Sequence, residues 1–125
     1  MWMTRLNRHP TGDILSPVRD LPKPAALNDR LYADYASYAP ARRTLDALFI
    51  TYIETLSESD LGSALRYNRA NGDAHIKPLG LTLSHVFNHQ THHRGQITTL
   101  LSQMGLDIGA TDVHLLVPEL DTDTQ

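Results

Sequence analysis

Cysteine is absent from the 125-residue sequence, and this absence removes several kinds of chemistry. The chain can form no disulfide, no thiolate metal site and no cysteine nucleophile. Aromatic residues are also few, with one tryptophan and two phenylalanines beside five tyrosines. Seven histidines are present, so imidazole is the first side chain to consider for metal binding or catalysis.

Long apolar runs and blocks of basic residues are missing as well. No run approaches the roughly 20 residues of a membrane span, and no apolar signal region follows the first charges. We therefore expect a cytoplasmic protein without a membrane segment. A net charge of −3 and the lack of a basic block argue against a nucleic-acid partner. The length fits one domain, which we place at residues 1–120, followed by a disordered tail at 121–125.

Four of the seven histidines lie in the segment from Leu81 to Met104. Its apolar residues form one stripe on a helix that advances about 100° per residue: Leu83, Val86, Ile97, Leu100, Leu101 and Met104. His89 and His93 are four residues apart, so they share a face, and the spacing places them within or beside this stripe. Two stacked imidazoles can bind one metal ion from adjacent helical turns.

The surrounding residues limit which metal chemistry is compatible with this pair. Gln90 stands where an H-E-x-x-H metalloprotease has its glutamate base, so that mechanism is excluded. No Glu-x-x-His motif is present, so a ferritin-like di-iron site is unsupported. A catalytic zinc ion usually has three protein ligands. Candidates for an additional ligand or an outer contact are His75, His85, His9 or a histidine of a second chain, whereas His92 is predicted to be a surface residue.

The run HVFNHQTHHRGQ, from His85 to Gln96, resembles the signature of the DinB/YfiT-like family of metal-binding helical bundles. The resemblance continues upstream through Leu65-Arg66-Tyr67 and Gly72, and downstream through Gly105 to Leu116. The opening segment MWMTRLNRHPTG resembles the end of the family's second helix. The family implies an all-α four-helix bundle, here without the first helix and most of the second, and with a small β-hairpin between two long helices.

The same resemblance implies a site and a range of activities. Family members hold a divalent metal, for which we expect zinc or nickel, with three histidines. Two of them map onto His89 and His93, and the third would precede Met1, so the site is expected to be incomplete. Some relatives are thiol transferases or isomerases that use a low-molecular-weight thiol, which becomes an expected partner along with another small-molecule substrate. Arg94 and Gln96 belong to the motif but are equally compatible with a salt bridge and a solvent-facing amide.

The pattern along the chain predicts the remaining elements. Residues 13–26 are expected to form a proline-rich strap against the body, with Ile14, Leu15, Val18 and Leu21 inward. A long amphipathic helix is predicted for residues 25–57, capped by Asn28 and kinked or split at Pro40. Asn71-Gly72 predicts a hairpin with a type I′ turn. Thr82 or Ser84 is expected to cap the histidine helix, Gly105 and Gly109 to end it, and Leu115 to Val117 to pack back.

Two long helices and a stub would bury too little surface to be stable alone. We therefore expect a homodimer with two-fold symmetry. The first hypothesis is a DinB-like protein that binds a metal through His89 and His93. Whether it is also an enzyme, such as a thiol transferase or hydrolase, is left open by the sequence. The alternative is a non-enzymatic helical dimerisation module with a degenerate site. A third hypothesis is a fragment whose true start supplies the missing histidine.

Overall fold

The computed structural model describes residues 1–26, 28–69 and 71–119. The predicted disordered tail and the helix position Leu27 lie outside these residues. The elements are α1 (Trp2–Leu6), a 3₁₀ helix (Pro10–Asp20), α2 (Tyr35–Glu54), α3 (Glu58–Gly62), β1 (Ala64–Asn68), β2 (Ala74–Pro78), α4 (Leu79–Gln103) and a 3₁₀ turn (Val113–Leu116). This mostly helical chain with one hairpin agrees with the expected all-α class. The four-helix arrangement of the family stays a prediction.

The chain divides into two compact units, Met1–Phe87 and Asn88–Gln125, with the boundary inside α4. The hydrophobic core belongs to the first unit. Its buried members come from α1, the 3₁₀ helix, α2, β1 and the start of α4: Leu6, Leu15, Val18, Tyr52, Leu65, Tyr67, Leu79 and Leu83. Half-buried residues of α2 pack against them at the three- and four-residue spacing that the sequence predicts: Leu45, Leu48, Phe49 and Ile53.

The long helix begins ten residues later than predicted. Asp34, not Asn28, is its N-cap, and Asp34 and Ser37 form a reciprocal capping box. Upstream, the Asp29 carboxylate accepts the backbone amides of Ala25 and Ala26 at 2.6 and 2.8 Å. Such a side-chain bond competes with helical pairing and explains the delay.

The prediction that Pro40 kinks or splits the long helix is wrong as to a split. The helix α2 runs through Pro40, and the predicted strap is a 3₁₀ helix that contains Pro17. Proline removes one amide donor but holds φ close to the value that both helix types use, so a helix supported by packing can continue. The strap's expected contacts are confirmed at Leu15 and Val18, which are buried.

The hairpin is confirmed, but its turn is not type I′. The strands pair antiparallel, with Tyr67 opposite His75 and Leu65 opposite Lys77. Among the described residues no residue other than glycine has positive φ, whereas Gly72 has φ 91°. The Gly72 amide donates to the Arg69 carbonyl at 3.0 Å, and the Arg69 amide donates to the Asp73 carbonyl at 2.9 Å. This is the longer loop that ends on a left-handed glycine.

The second unit contains the C-terminal part of α4 and the segment after it. The amides of Gly105 and Leu106 donate to the carbonyls of Ser102 and Leu101, each at 3.0 Å, which is the Schellman ending predicted at Gly105. The expectation that Leu115, Leu116 and Val117 pack back is wrong, because all three are exposed. Within the described residues, no helix is long and apolar enough to cross a membrane.

Candidate metal centre

The histidine segment lies on α4, which starts directly after the hairpin. The helix begins at Leu79, so Thr82 lies inside its first turn, where its hydroxyl donates to the Pro78 carbonyl at 3.0 Å. Leu83 and Val86, the first residues of the predicted apolar stripe, are buried in the first unit. The later stripe residues Ile97, Leu100 and Met104 are 56%, 60% and 73% exposed in the second unit.

His89 and His93 come together as their spacing predicts. Their Nε2 atoms are 3.2 Å apart, and the rings meet edge to face with centroids 4.5 Å apart. Two nitrogen atoms bound at about 2.0–2.1 Å to one tetrahedral zinc ion would be about 3.3 Å apart. The separation therefore fits a shared metal ion. It also fits an N–H···N hydrogen bond between the two rings.

Gln96 determines which nitrogen of His93 is free to bind. The Gln96 Oε1 atom lies 2.8 Å from His93 Nδ1. A carbonyl oxygen only accepts, so Nδ1 carries the proton and the Nε2 lone pair faces His89. This is the tautomer that a metal ligand requires, and such an outer hydrogen bond is the usual way to fix it. The three-residue spacing from His93 to Gln96 is the sequence signal for this contact.

His92 is a surface residue, as predicted, and its ring lies beside the pair. Its ring centroid is 5.2 Å from that of His93 and 6.5 Å from that of His89, and its plane is nearly parallel to the His89 ring. All three rings belong to exposed residues. The prediction that His89 and His93 face inward is therefore wrong within the chain. The apolar residues Ile97, Leu100 and Met104 that follow the histidines on α4 are exposed as well.

The other candidate ligands lie in different surroundings in the first unit. The His85 ring meets the Trp2 ring edge to face at 4.9 Å. His75 on β2 stacks on Tyr67 at 5.5 Å. His9 is 4% exposed, and its two nitrogens lie 2.7 Å from the hydroxyls of Thr11 and Ser63. His9 is thus occupied by structural contacts.

The described residues of the chain do not provide a complete ligand set. Among the described residues, no group of three or more histidine, aspartate or glutamate side chains is arranged to hold a metal ion. The His89–His93 pair provides two nitrogen donors, one fewer than the usual catalytic zinc site. A metal ion on this pair would need a third donor from outside the described part of the chain.

Comparison with known proteins identifies the family. The family model described as "DinB family" matches residues 2–120, which is nearly the whole chain. The chain therefore belongs to the DinB family. Searches of curated proteins and of solved structures returned no match.

Proposed function

We propose that this DinB-family chain binds a divalent metal ion, zinc or nickel, through Nε2 of His89 and Nε2 of His93. The observation that supports the proposal is the 3.2 Å separation of these two atoms, which matches the spacing of two ligands on one tetrahedral ion. The Gln96 contact provides independent support, because it leaves Nε2 of His93 unprotonated. The Gln96 carbonyl would also hold the ring in place when the ion binds.

We further propose that a second copy of the chain completes the site. Two nitrogen ligands are too few for tight binding, and the exposed apolar residues Ile97, Leu100 and Met104 lie on the same helix as the pair. Exposed apolar side chains grouped on one helix face are typical of a protein–protein interface. A two-fold dimer through this face would bring the two histidine pairs of the two copies into one interface.

Gly95 supports an interface at this part of α4. A glycine inside a helix costs about 1 kcal/mol relative to alanine. A Cβ atom added at Gly95 would meet no heavy atom within 4 Å among the described residues of its own chain. The cost is therefore not explained by packing within the chain. It would be explained if a helix of the second copy approaches closely there.

When bound, a divalent ion would supply Lewis acidity that polarises a thiol or a substrate oxygen. The activity implied by the resemblance is a thiol transferase or hydrolase-like reaction with a low-molecular-weight thiol. This activity and the cytoplasmic location stay predictions. The alternative is a non-enzymatic helical dimerisation module, in which His89 and His93 only bond to each other. The exposed apolar face of the second unit favours that alternative as much as it favours a shared metal site.

The first experiment measures metal content per chain by plasma mass spectrometry, together with mass by light scattering, after gel filtration. The proposal expects bound zinc or nickel in a dimer, with the metal lost in His89→Ala and in His93→Ala. His114→Ala is the matched control, because His114 is exposed on the terminal 3₁₀ turn. A dimer without metal, even after incubation with zinc or nickel, would contradict metal binding and support the dimerisation module.

The Gly95→Ala variant tests the position of the interface. If the second copy packs at Gly95, the added methyl group should weaken dimerisation in sedimentation equilibrium. If no second copy packs there, the methyl group should instead raise the free energy of unfolding by about 1 kcal/mol. Gly62→Ala is the control, because Gly62 is equally uncrowded. A Gly95→Ala dimer as tight as the wild type would place the interface elsewhere.

A further inference from the structure

A groove of about 410 Å³ lies in the first unit, and neither His89 nor His93 lines it. Three elements contribute to it, namely α1, the hairpin and the start of α4. Basic and aromatic side chains dominate its lining: Trp2, Arg5, Tyr67, Arg69, Lys77 and His85. Its volume lies within the range of roughly 300–1,000 Å³ of small-molecule sites.

The register of the hairpin explains why these side chains converge. Side chains alternate between the two faces of a strand, and directly paired residues share a face. Lys77 pairs with Leu65, which is two residues before Tyr67, so Lys77 lies on the face that carries the buried Leu65 and Tyr67. Arg69 follows β1 directly, two residues after Tyr67, and its amide still pairs across the hairpin with the Asp73 carbonyl. Arg66 lies on the opposite face and does not line the groove.

The charge of the groove is opposite to that of the whole chain. The chain carries a net charge of −3, yet three of its 11 lysines and arginines line this groove. No acidic residue of the described part lines it. Within that same part, no carboxylate forms a salt bridge with Arg5, Arg69 or Lys77. The nearby Asp73 carboxylate in the hairpin loop instead accepts the Asn71 side-chain amide at 2.7 Å.

Arg5 is held in position by aromatic rings. Its guanidinium carbon lies 4.5 Å from the centre of the Trp2 ring and 5.2 Å from the centre of the Tyr67 ring. Contact with two rings, which stand at 71° to each other, restrains the guanidinium and leaves its N–H groups able to donate. An arginine fixed in this way favours the two parallel hydrogen bonds of a carboxylate or phosphate.

From these observations we infer that the groove binds a small organic anion, with its carboxylate or phosphate on Arg5, Arg69 and Lys77 and a flat apolar part beside Trp2. The three cations supply charge-assisted hydrogen bonds, and the aromatic wall favours a planar group over an inorganic ion. Anion binding here is independent of metal binding by His89 and His93, so the two proposals can fail separately.

Trp2 makes the groove directly observable, because it is the only tryptophan of the chain. The experiment titrates the full chain with phenyl phosphate, benzoate and the neutral benzyl alcohol, and follows tryptophan fluorescence. We expect saturable changes with one or both anions, and weaker or no change with benzyl alcohol. A preference for phenyl phosphate identifies phosphate as the recognised group, and a preference for benzoate identifies carboxylate.

Charge variants then locate the binding site. Lys77→Gln and Arg69→Gln should each weaken anion binding about tenfold, since a hydrogen bond to a charged group is worth roughly 1.5–3 kcal/mol. Arg5→Lys should weaken it as well, because lysine keeps the charge but lacks the fork. Arg66→Gln is the matched control and should stay within about twofold of wild type.

Three outcomes would overturn the inference. The first is no saturation by either anion up to about 10 mM, which corresponds to negligible affinity. The second is equal binding of benzyl alcohol, which would show that charge has no role. The third is an equal loss in Arg66→Gln and Lys77→Gln, which would show only general surface attraction. Circular dichroism and melting temperature of each variant establish that a loss of binding is not a loss of fold.

Discussion

His9 connects two segments that are far apart in sequence, and its removal is a sharp test of the fold of the first unit. The Ser63 hydroxyl donates to the Asp60 carbonyl at 2.5 Å, so it accepts the proton of His9 Nε2. Nδ1 of the same ring accepts from the Thr11 amide at 3.2 Å, which caps the 3₁₀ helix. His9 is therefore neutral and has both nitrogens satisfied.

The cost of losing this residue follows from those contacts. Loss of an N-cap acceptor costs about 1 kcal/mol, and loss of the Ser63 bond costs about 1 kcal/mol more. His9→Ala also leaves the space of a buried ring, so we expect its free energy of unfolding to fall by about 2–3 kcal/mol. His9→Asn keeps the cap but cannot reach Ser63, and it should recover about 1 kcal/mol of that loss. Urea denaturation followed by circular dichroism measures both values.

The contribution of His9 to the free energy of unfolding depends on pH, because the ring is neutral in the folded state. Burial lowers the pKa of His9, and the negative charge of Asp60 opposes only part of this effect. The unfolded chain therefore takes up the proton first as the pH falls below about 6.5, and the folded state loses stability until the pH reaches the lower folded pKa. In His9→Asn this contribution is absent, so its loss of stability between about pH 7.5 and about pH 5.5 should be smaller than in the wild type.

The control for the pH experiment is His114→Asn, because His114 is an exposed residue of the terminal 3₁₀ turn. If His9→Asn and the wild type lose the same stability on acidification, His9 is not held neutral by the fold. If His9→Ala is as stable as the wild type, the contacts with Thr11 and Ser63 contribute nothing. Either result would refute the reasoning.

Two further predictions concern single positions in the first unit. Gly12→Ala should destabilise the chain by about 3 kcal/mol in thermal melts. The new Cβ would overlap the Leu6 carbonyl oxygen and lie 2.8 Å from Asn7 Cα. Gly62→Ala is the control and should be tolerated, because its Cβ would meet no atom within 4 Å. The amide and hydroxyl of Ser37 lower the pKa of the Asp34 carboxylate, so its contribution is full above about pH 4 and is lost as the pH falls through the lower folded pKa. Asparagine can still cap the helix but carries no charge, so Asp34→Asn should lose less stability than the wild type on acid titration below about pH 4. An equal loss of stability in both proteins would contradict the prediction.

The sequence by itself determined the features that depend on local pattern. The four-residue spacing of His89 and His93 placed their rings together, because adjacent turns of a helix present the same face. The glycine at position 105 ended α4, and Asn71-Gly72 marked the hairpin, since these effects act over a few residues. The His85–Gln96 run also carried the family resemblance, which the match over residues 2–120 confirmed.

Tertiary structure decided which apolar residues are buried and which charged residues meet. The apolar stripe of α4 is continuous in sequence, yet Leu83 is buried and Leu100 is exposed, because burial depends on what packs against each turn. The groove combines Trp2 and Arg5 of α1 with residues of the hairpin and of α4 that are more than 60 positions away in the chain, and only the fold brings their charges together.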